Sequence, residues 1–144
     1  MDTPFPTVTI ADDHPLFRQA AVTILSQLGF PVILEAADGL DFLSLLSHYS
    51  QLPDISVLDI DMPVIDGYET ARLLRRDYPS IKIIALTQFY DSDKERCILK
   101  AGAERMLTKG SDPGVWKEAI LEAYAKPNHA PSFPNAYSSL SDKQ

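Results

Sequence analysis

Ile55-Ser56-Val57-Leu58-Asp59-Ile60-Asp61-Met62-Pro63 runs a short strand-forming segment into an acid, a second acid and a Met-Pro turn signal. A run this brief, apolar and partly β-branched reads as a buried strand. Asp59 therefore stands at a strand's carboxyl end. The loop after it carries a further turn at Asp66-Gly67, and a helix follows over roughly Tyr68 to Asp77.

Outward from this strand the same alternation repeats. Upstream, Val8-Thr9-Ile10-Ala11 is a strand followed by a helix from Pro15 to about Gly29, with Asp13 or His14 as its cap and Pro15 in a first turn that tolerates a missing N–H. Val32 to Ala36 is the next strand. Asp38-Gly39 then turns and caps a helix whose apolar face is Leu40, Phe42, Leu43, Leu45 and Leu46, stopping before Pro53. Downstream, Ile81 to Leu86 makes a strand ending at Thr87, and Asp91 to Lys100 a helix closed by Gly102. Arg105 to Thr108 is a short fifth strand that ends on Lys109. After a Gly-Ser-Asp-Pro-Gly turn, Val115, Trp116, Ala119, Ile120 and Ala123 stripe a fifth helix.

Five strand–helix pairs predict an α/β domain with a doubly wound parallel sheet. It spans residues 1–125. From Lys126 to Gln144 three prolines, two asparagines and several serines replace the periodic pattern, which reads as a linker.

At 144 residues and 45% hydrophobic content the chain has room for one domain with a core. The net charge of -7 argues against a nucleic-acid backbone as partner of this domain and suits a cation. A single cysteine, Cys97, cannot form an internal disulfide and is expected to be half-buried and unreactive. With neither a secretory leader pattern nor an apolar run of spanning length, the expected compartment is the cytoplasm, with no membrane contact.

Ligands of doubly wound sheets bind beyond the carboxyl ends of the strands. There the sequence places Asp12 and Asp13, Asp59, Thr87 and Lys109, each on the end of an otherwise apolar strand. Three carboxylates brought close repel one another unless a cation neutralises them. Mg²⁺ suits such a set, because it takes hard oxygen ligands and keeps positions open for a phosphate oxygen. Asp59 can then act as nucleophile toward phosphorus, with Lys109 spreading charge and Thr87 offering a hydroxyl donor.

Ala11-Asp12-Asp13-His14-Pro15, Leu58-Asp59-Ile60-Asp61-Met62-Pro63 with Asp66-Gly67, Leu86-Thr87 and Leu107-Thr108-Lys109 resemble the response-regulator receiver domains of two-component signalling, over about Val8 to Ala125. The opening followed by Leu16-Phe17-Arg18 is similar to the NarL/LuxR type, and Leu140 to Gln144 to the start of that type's helix-turn-helix output domain. The resemblance implies a flavodoxin-like (βα)5 fold with strand order 2-1-3-4-5. It further implies that Asp59 is the phosphoacceptor, and that Asp12, Asp13 and Asp59 hold Mg²⁺ with the main-chain carbonyl of Asp61. Thr87 and Lys109 would bind the phosphoryl group. Implied partners are a sensor histidine kinase or phosphotransfer protein, a C-terminal DNA-binding domain missing from this chain, and a second copy in a homodimer. Transcription regulation is the implied output, with no turnover beyond the domain's own phosphorylation and dephosphorylation. Two positions depart from the family. Met106 stands where an aromatic switch residue is usual, and Gly110 where a proline often follows the lysine.

Blander readings stand beside these. Asp13 alone reads as a helix cap, and Asp66-Gly67 as a turn. His14 is explained by capping at a His-Pro helix start, with a proton shuttle as the alternative. His48 and His129 have no partner nearby in sequence. Phe89 and Tyr90 are a partner surface or exposed loop aromatics. Two rival functions remain: a phosphorylation-independent interaction module, and a haloacid-dehalogenase-type phosphatase suggested by Asp59-Ile60-Asp61. Against the phosphatase, the motif follows the third strand and lacks the Gly-Thr and the later acidic pair.

Overall fold

The computed structural model describes residues 5–128. Ten elements alternate: β1 (Val8–Ala11), α1 (Pro15–Gln27), β2 (Val32–Ala36), α2 (Gly39–Ser47), β3 (Ile55–Asp59), α3 (Gly67–Asp77), β4 (Lys82–Thr87), α4 (Ser92–Ala101), β5 (Arg105–Thr108) and α5 (Pro113–Ala125). The five strands form one parallel sheet in the order β2-β1-β3-β4-β5. This is the doubly wound sheet that the strand–helix alternation predicts, in the flavodoxin-like order that the resemblance implies.

Burial follows from that order. The central strands β1, β3 and β4 are buried along their whole length, as strands covered by helices on both faces must be, while β2 and β5 at the edges are only partly covered. Side chains alternate between two cores. Val8, Ile10, Ile55, Val57, Ile84 and Leu86 face α1 and α5, packing on Ala21, Leu25, Trp116 and Ile120. Ala11, Leu58, Ile83 and Ala85 face the other way, onto Phe42 and Leu46 of α2, Ala71 and Leu74 of α3, and Ile98 of α4.

Helix starts are set by aspartates. Asp38, Asp66, Asp91 and Asp112 each accept a backbone N–H of the first turn of α2, α3, α4 and α5. At α1 the N-cap position is held by His14, and no side chain caps the helix. His14 thus takes one of the two expected cap positions, but neither it nor Asp13 supplies a capping bond, because both side chains turn toward the carboxyl ends of the strands.

Gly67, at the first position of α3, is there for space. A Cβ added to it would lie 2.6 Å from the Asp59 carbonyl oxygen and from Ile60 Cα, so the helix meets the end of β3 at a distance no side chain permits. At the other end of the sheet, buried Lys82 donates to the carbonyls of Ala123 (3.1 Å) and Lys126 (2.6 Å), closing the C-terminus of α5.

Some expectations are corrected. Leu40 is 55% exposed, since a helix presents about a third of its circumference to the sheet and Phe42 and Leu46 fill it. Cys97 is exposed rather than half-buried, because its neighbour Ile98 takes the inward direction of α4. The fourth strand begins at Lys82, one residue later than expected, although Ile81 is buried. His48 has local partners after all, with Nδ1 2.9 Å from the Ser44 carbonyl. Nearly all of the linker expectation, His129 and Leu140 to Gln144 included, lies outside the described residues. Among the described residues no helix is long and apolar enough to cross a membrane.

Candidate functional site

Register brings the polar residues together. Ala11 pairs with Leu58, so Asp12 and Asp59 are the next residues on neighbouring strands. Asp59 pairs with Leu86, and Thr87 with Thr108, which leaves Thr87 and Lys109 one step beyond on the next two strands. The Lys109 N–H donates to the Thr87 carbonyl at 2.8 Å and ties these ends to each other.

Asp12 and Asp59 are 0% and 1% exposed. One oxygen of each is engaged: Asp12 Oδ1 accepts the His14 N–H at 2.7 Å, and Asp59 Oδ1 accepts the Asp61 N–H at 3.1 Å. Asp12 Oδ2, Asp13 Oδ1 and Asp59 Oδ2 are buried without a hydrogen bond. Such oxygens are costly unless something positive is supplied. Part of that charge comes from Lys109, whose Nζ is 2.8 Å from Asp12 Oδ2 and 3.5 Å from Asp59 Oδ2, an ion pair without hydrogen-bond direction at Asp12. The lysine is held from behind by Phe17, whose ring centre is 4.6 Å from Nζ and which itself leans on Trp116.

Burial first, and then the neighbouring Asp12 carboxylate, push Asp59 up to about 6; Lys109 and the Asp61 N–H pull the other way without cancelling them. The native state thus holds an acid under electrostatic pressure, with three carboxylates and one ammonium. Hard oxygen donors in this number fit a divalent cation of the Mg²⁺ kind. Asp12, Asp13 and Asp59 would hold it, at the mouth of the sheet.

Thr87 Oγ1 donates to the Phe89 carbonyl at 3.1 Å, so the hydroxyl at the strand end pins the loop that follows it. Phe89 and Tyr90 in that loop are 75% and 60% exposed. The Asp61 carboxylate points elsewhere, 3.6 Å from Lys94 Nζ, and is not among the clustered ligand atoms. That placement suits a loop acid rather than the second catalytic acid of an Asp-x-Asp phosphatase. Met106 is buried in the core beside Ala85, and the peptide after Lys109 is trans.

Sequence reasoning read one residue here chiefly as a helix cap and missed another. His14 turns its imidazole onto the acids, with Nδ1 3.1 Å from Asp12 Oδ1 and 3.2 Å from Asp13 Oδ1. Its only sequence signal is adjacency to two aspartates. Arg18 donates to the Asp12 carbonyl at 2.6 Å and steadies the end of β1; one turn along α1 from His14, it gave no signal of that contact. A groove of about 460 Å³ lined by Arg18, Gln19 and Glu35 lies beside α1 and β2.

A family model described as the response regulator receiver domain matches residues 8–121. The nitrate/nitrite response regulator NarP of Escherichia coli is 39% identical over 119 residues, 82% of this chain and 54% of NarP. The transcriptional regulatory protein DegU of Brevibacillus brevis is 34% identical over 114 residues, 78% of this chain and 48% of DegU. The chain thus spans about half the length of these curated relatives. Among solved structures, the signal receiver domain of a NarL response regulator from Mycobacterium tuberculosis superposes with a TM-score of 0.77 at 31% identity, covering 85% of this chain and 98% of that one. A chain of the CheX–CheY–BeF3–Mg²⁺ complex from Borrelia burgdorferi gives 0.76 at 26% identity, covering 85% and 91%.

Proposed function

Because the chain belongs to the response regulator receiver family, we propose that Asp59 is its phosphoacceptor, taking a phosphoryl group from the phosphohistidine of a sensor histidine kinase or phosphotransfer protein. The observation that carries this reading is the trio of buried carboxylate oxygens without a hydrogen bond at the strand ends, two of which, on Asp12 and Asp59, are ion-paired to Lys109. A fold needs no such arrangement for stability.

In the proposed reaction the free Oδ2 of Asp59 attacks phosphorus, the phosphorus–nitrogen bond of the donor breaks, and the donor imidazole leaves with the electron pair. Mg²⁺, held by Asp12, Asp13, Asp59 and the Asp61 carbonyl, supplies charge neutralisation when bound. Lys109 shifts its ammonium from Asp12 to a phosphoryl oxygen. Thr87 releases the Phe89 carbonyl and donates to another phosphoryl oxygen. Loss of that hydrogen bond frees the loop carrying Phe89 and Tyr90, so added charge at Asp59 becomes a change of surface. Buried Met106 leaves the signal to this loop and α4 rather than to a swinging aromatic ring.

The proposed protein is cytoplasmic, with residues 1–125 as receiver and 126–144 as a linker toward a DNA-binding domain. Its output is transcriptional, through release of that domain or pairing of two receivers. The relatives named for response and transcriptional regulation support this reading. The test is ¹⁹F NMR of trifluoroberyllate, the ion present in the Borrelia complex. One ion bound per chain, requiring Mg²⁺ and lost in Asp59→Asn, is expected; binding that survives in Asp59→Asn overturns the assignment.

A further inference from the structure

We propose that His14 is a metal ligand that extends the site's reach from Mg²⁺ to borderline transition-metal ions such as Zn²⁺ and Co²⁺. The proposal rests on the reading that Asp12, Asp13 and Asp59 hold a divalent cation, and adds a nitrogen donor to that set.

The placement of the imidazole is the first ground. His14 occupies the N-cap position of α1 with extended backbone angles, φ -100 and ψ 102, yet makes no capping bond, unlike the four aspartates in the same position on the other helices. Its ring is spent on the cluster instead. Nδ1 lies 3.1 Å from Asp12 Oδ1, 3.2 Å from Asp13 Oδ1 and 3.8 Å from Asp59 Oδ2. An ion with bonds of about 2.1 Å in a tetrahedron separates its ligands by about 3.4 Å, in the middle of those values. One donor atom from each of the four residues can be chosen so that all lie within 4.8 Å of one another.

A hydrogen bond from Nδ1 to Asp12 Oδ1 at 3.1 Å accounts for only part of these contacts. Nδ1 also lies 3.2 Å from Lys109 Nζ, itself a donor. If Nδ1 carries a proton it opposes the ammonium; if it carries a lone pair it opposes the carboxylates. A cation among these atoms removes the conflict. Asp12 Oδ2 and Asp59 Oδ2, on side chains 0% and 1% exposed, already point into the site without hydrogen bonds. The lysine ammonium marks where positive charge is accommodated.

The consequence is a difference in behaviour between ions. Mg²⁺ gains little from imidazole, whereas Zn²⁺, Co²⁺ and Ni²⁺ favour it. A four-coordinate ion satisfied by three carboxylates and His14 has no open position, as in closed structural sites. It would hold the oxygens that phosphoryl transfer needs, and so oppose Mg²⁺ rather than replace it.

Co²⁺ is the probe, added to the full chain and followed by its visible absorption and by calorimetry, in wild type, His14→Gln and His14→Cys, with circular dichroism to confirm folding. Loss of an outer-shell partner alone weakens metal binding by about 10- to 100-fold, so loss of a direct ligand should cost at least about 10-fold. The expected result is one Co²⁺ per chain with the intense bands of low coordination, displaced by excess Mg²⁺. The Co²⁺/Mg²⁺ affinity ratio should fall by about 10-fold or more in His14→Gln, and His14→Cys should restore binding with a sulfur charge-transfer band. An unchanged ratio in His14→Gln, with Co²⁺ and Mg²⁺ still competing, overturns the role of His14 and leaves the carboxylate site standing. Failure of wild type to bind either ion overturns both readings.

Discussion

Replacing Asp59 by asparagine should make the metal-free protein more stable at neutral pH, although it removes the proposed reactive group. The side chain is raised from 3.8 to about 6, mainly by burial and by Asp12. That is roughly two units at about 1.4 kcal/mol each, so the ionised carboxylate costs the native state about 3 kcal/mol at most. The sign follows from proton binding. Between about pH 4 and pH 6 the native state binds more protons at this site than the unfolded chain, so its contribution to stability falls as pH rises and is fully lost above about pH 7. Asparagine keeps an oxygen for the Asp61 N–H and carries no charge. Urea unfolding followed by Trp116, the single tryptophan and a buried one, reads the difference directly. Without metal, Asp59→Asn and wild type should be nearly equal near pH 4 and diverge to between about 1 and 3 kcal/mol at pH 7, and Mg²⁺ should close the gap by stabilising wild type. A gap that is the same at both pH values, or that favours wild type at pH 7, refutes the electrostatic reasoning.

Other perturbations separate chemistry from scaffold. Thr87→Val keeps shape but removes the donor to Phe89, so it should still take a phosphoryl group, more slowly, while hydrogen exchange of residues 88–91 no longer responds to that group. Lys82→Met leaves the carbonyls of Ala123 and Lys126 without their buried donor and should cost about 1–3 kcal/mol in urea unfolding; phosphoryl uptake should be unchanged, since Lys82 and Thr87 are opposite ends of one strand. Gly67→Ala forces a methyl against the backbone of Asp59 and Ile60 and should destabilise by about 1–3 kcal/mol, with slower phosphorylation because the displaced backbone carries the acceptor.

Where the sequence spoke clearly, local chemistry and tertiary structure agreed. Short apolar runs interrupted by periodic segments gave all five strands, and a polar residue following each central strand marked the site, because a parallel sheet in register aligns its strand ends. Asp38, Asp66 and Asp112 were legible as turn or cap residues for the same local reason, whereas Asp91, read as the first helical residue, is the N-cap of α4. His14 was legible as a cap position and, as an alternative, as a shuttle beside the acids, but the hold of its ring was not, since the ring direction is decided by acids and a lysine 95 residues away. Lys82 stands out as a charge in a buried strand, but its partners lie 41 and 44 residues on and are created only when α5 docks. Leu40 and Cys97 were misjudged on burial because composition does not say which residue of a helix wins the inward face.

The central claim is tested most directly by the intact mass of the chain after incubation with Mg²⁺ and acetyl phosphate, alongside Asp59→Asn and a chelated control. The account predicts the gain of one phosphoryl group, stable in acid and labile in alkali, seen only in wild type with Mg²⁺. A phosphoryl group gained equally by Asp59→Asn, or no gain by a folded, Mg²⁺-binding wild type, would contradict it.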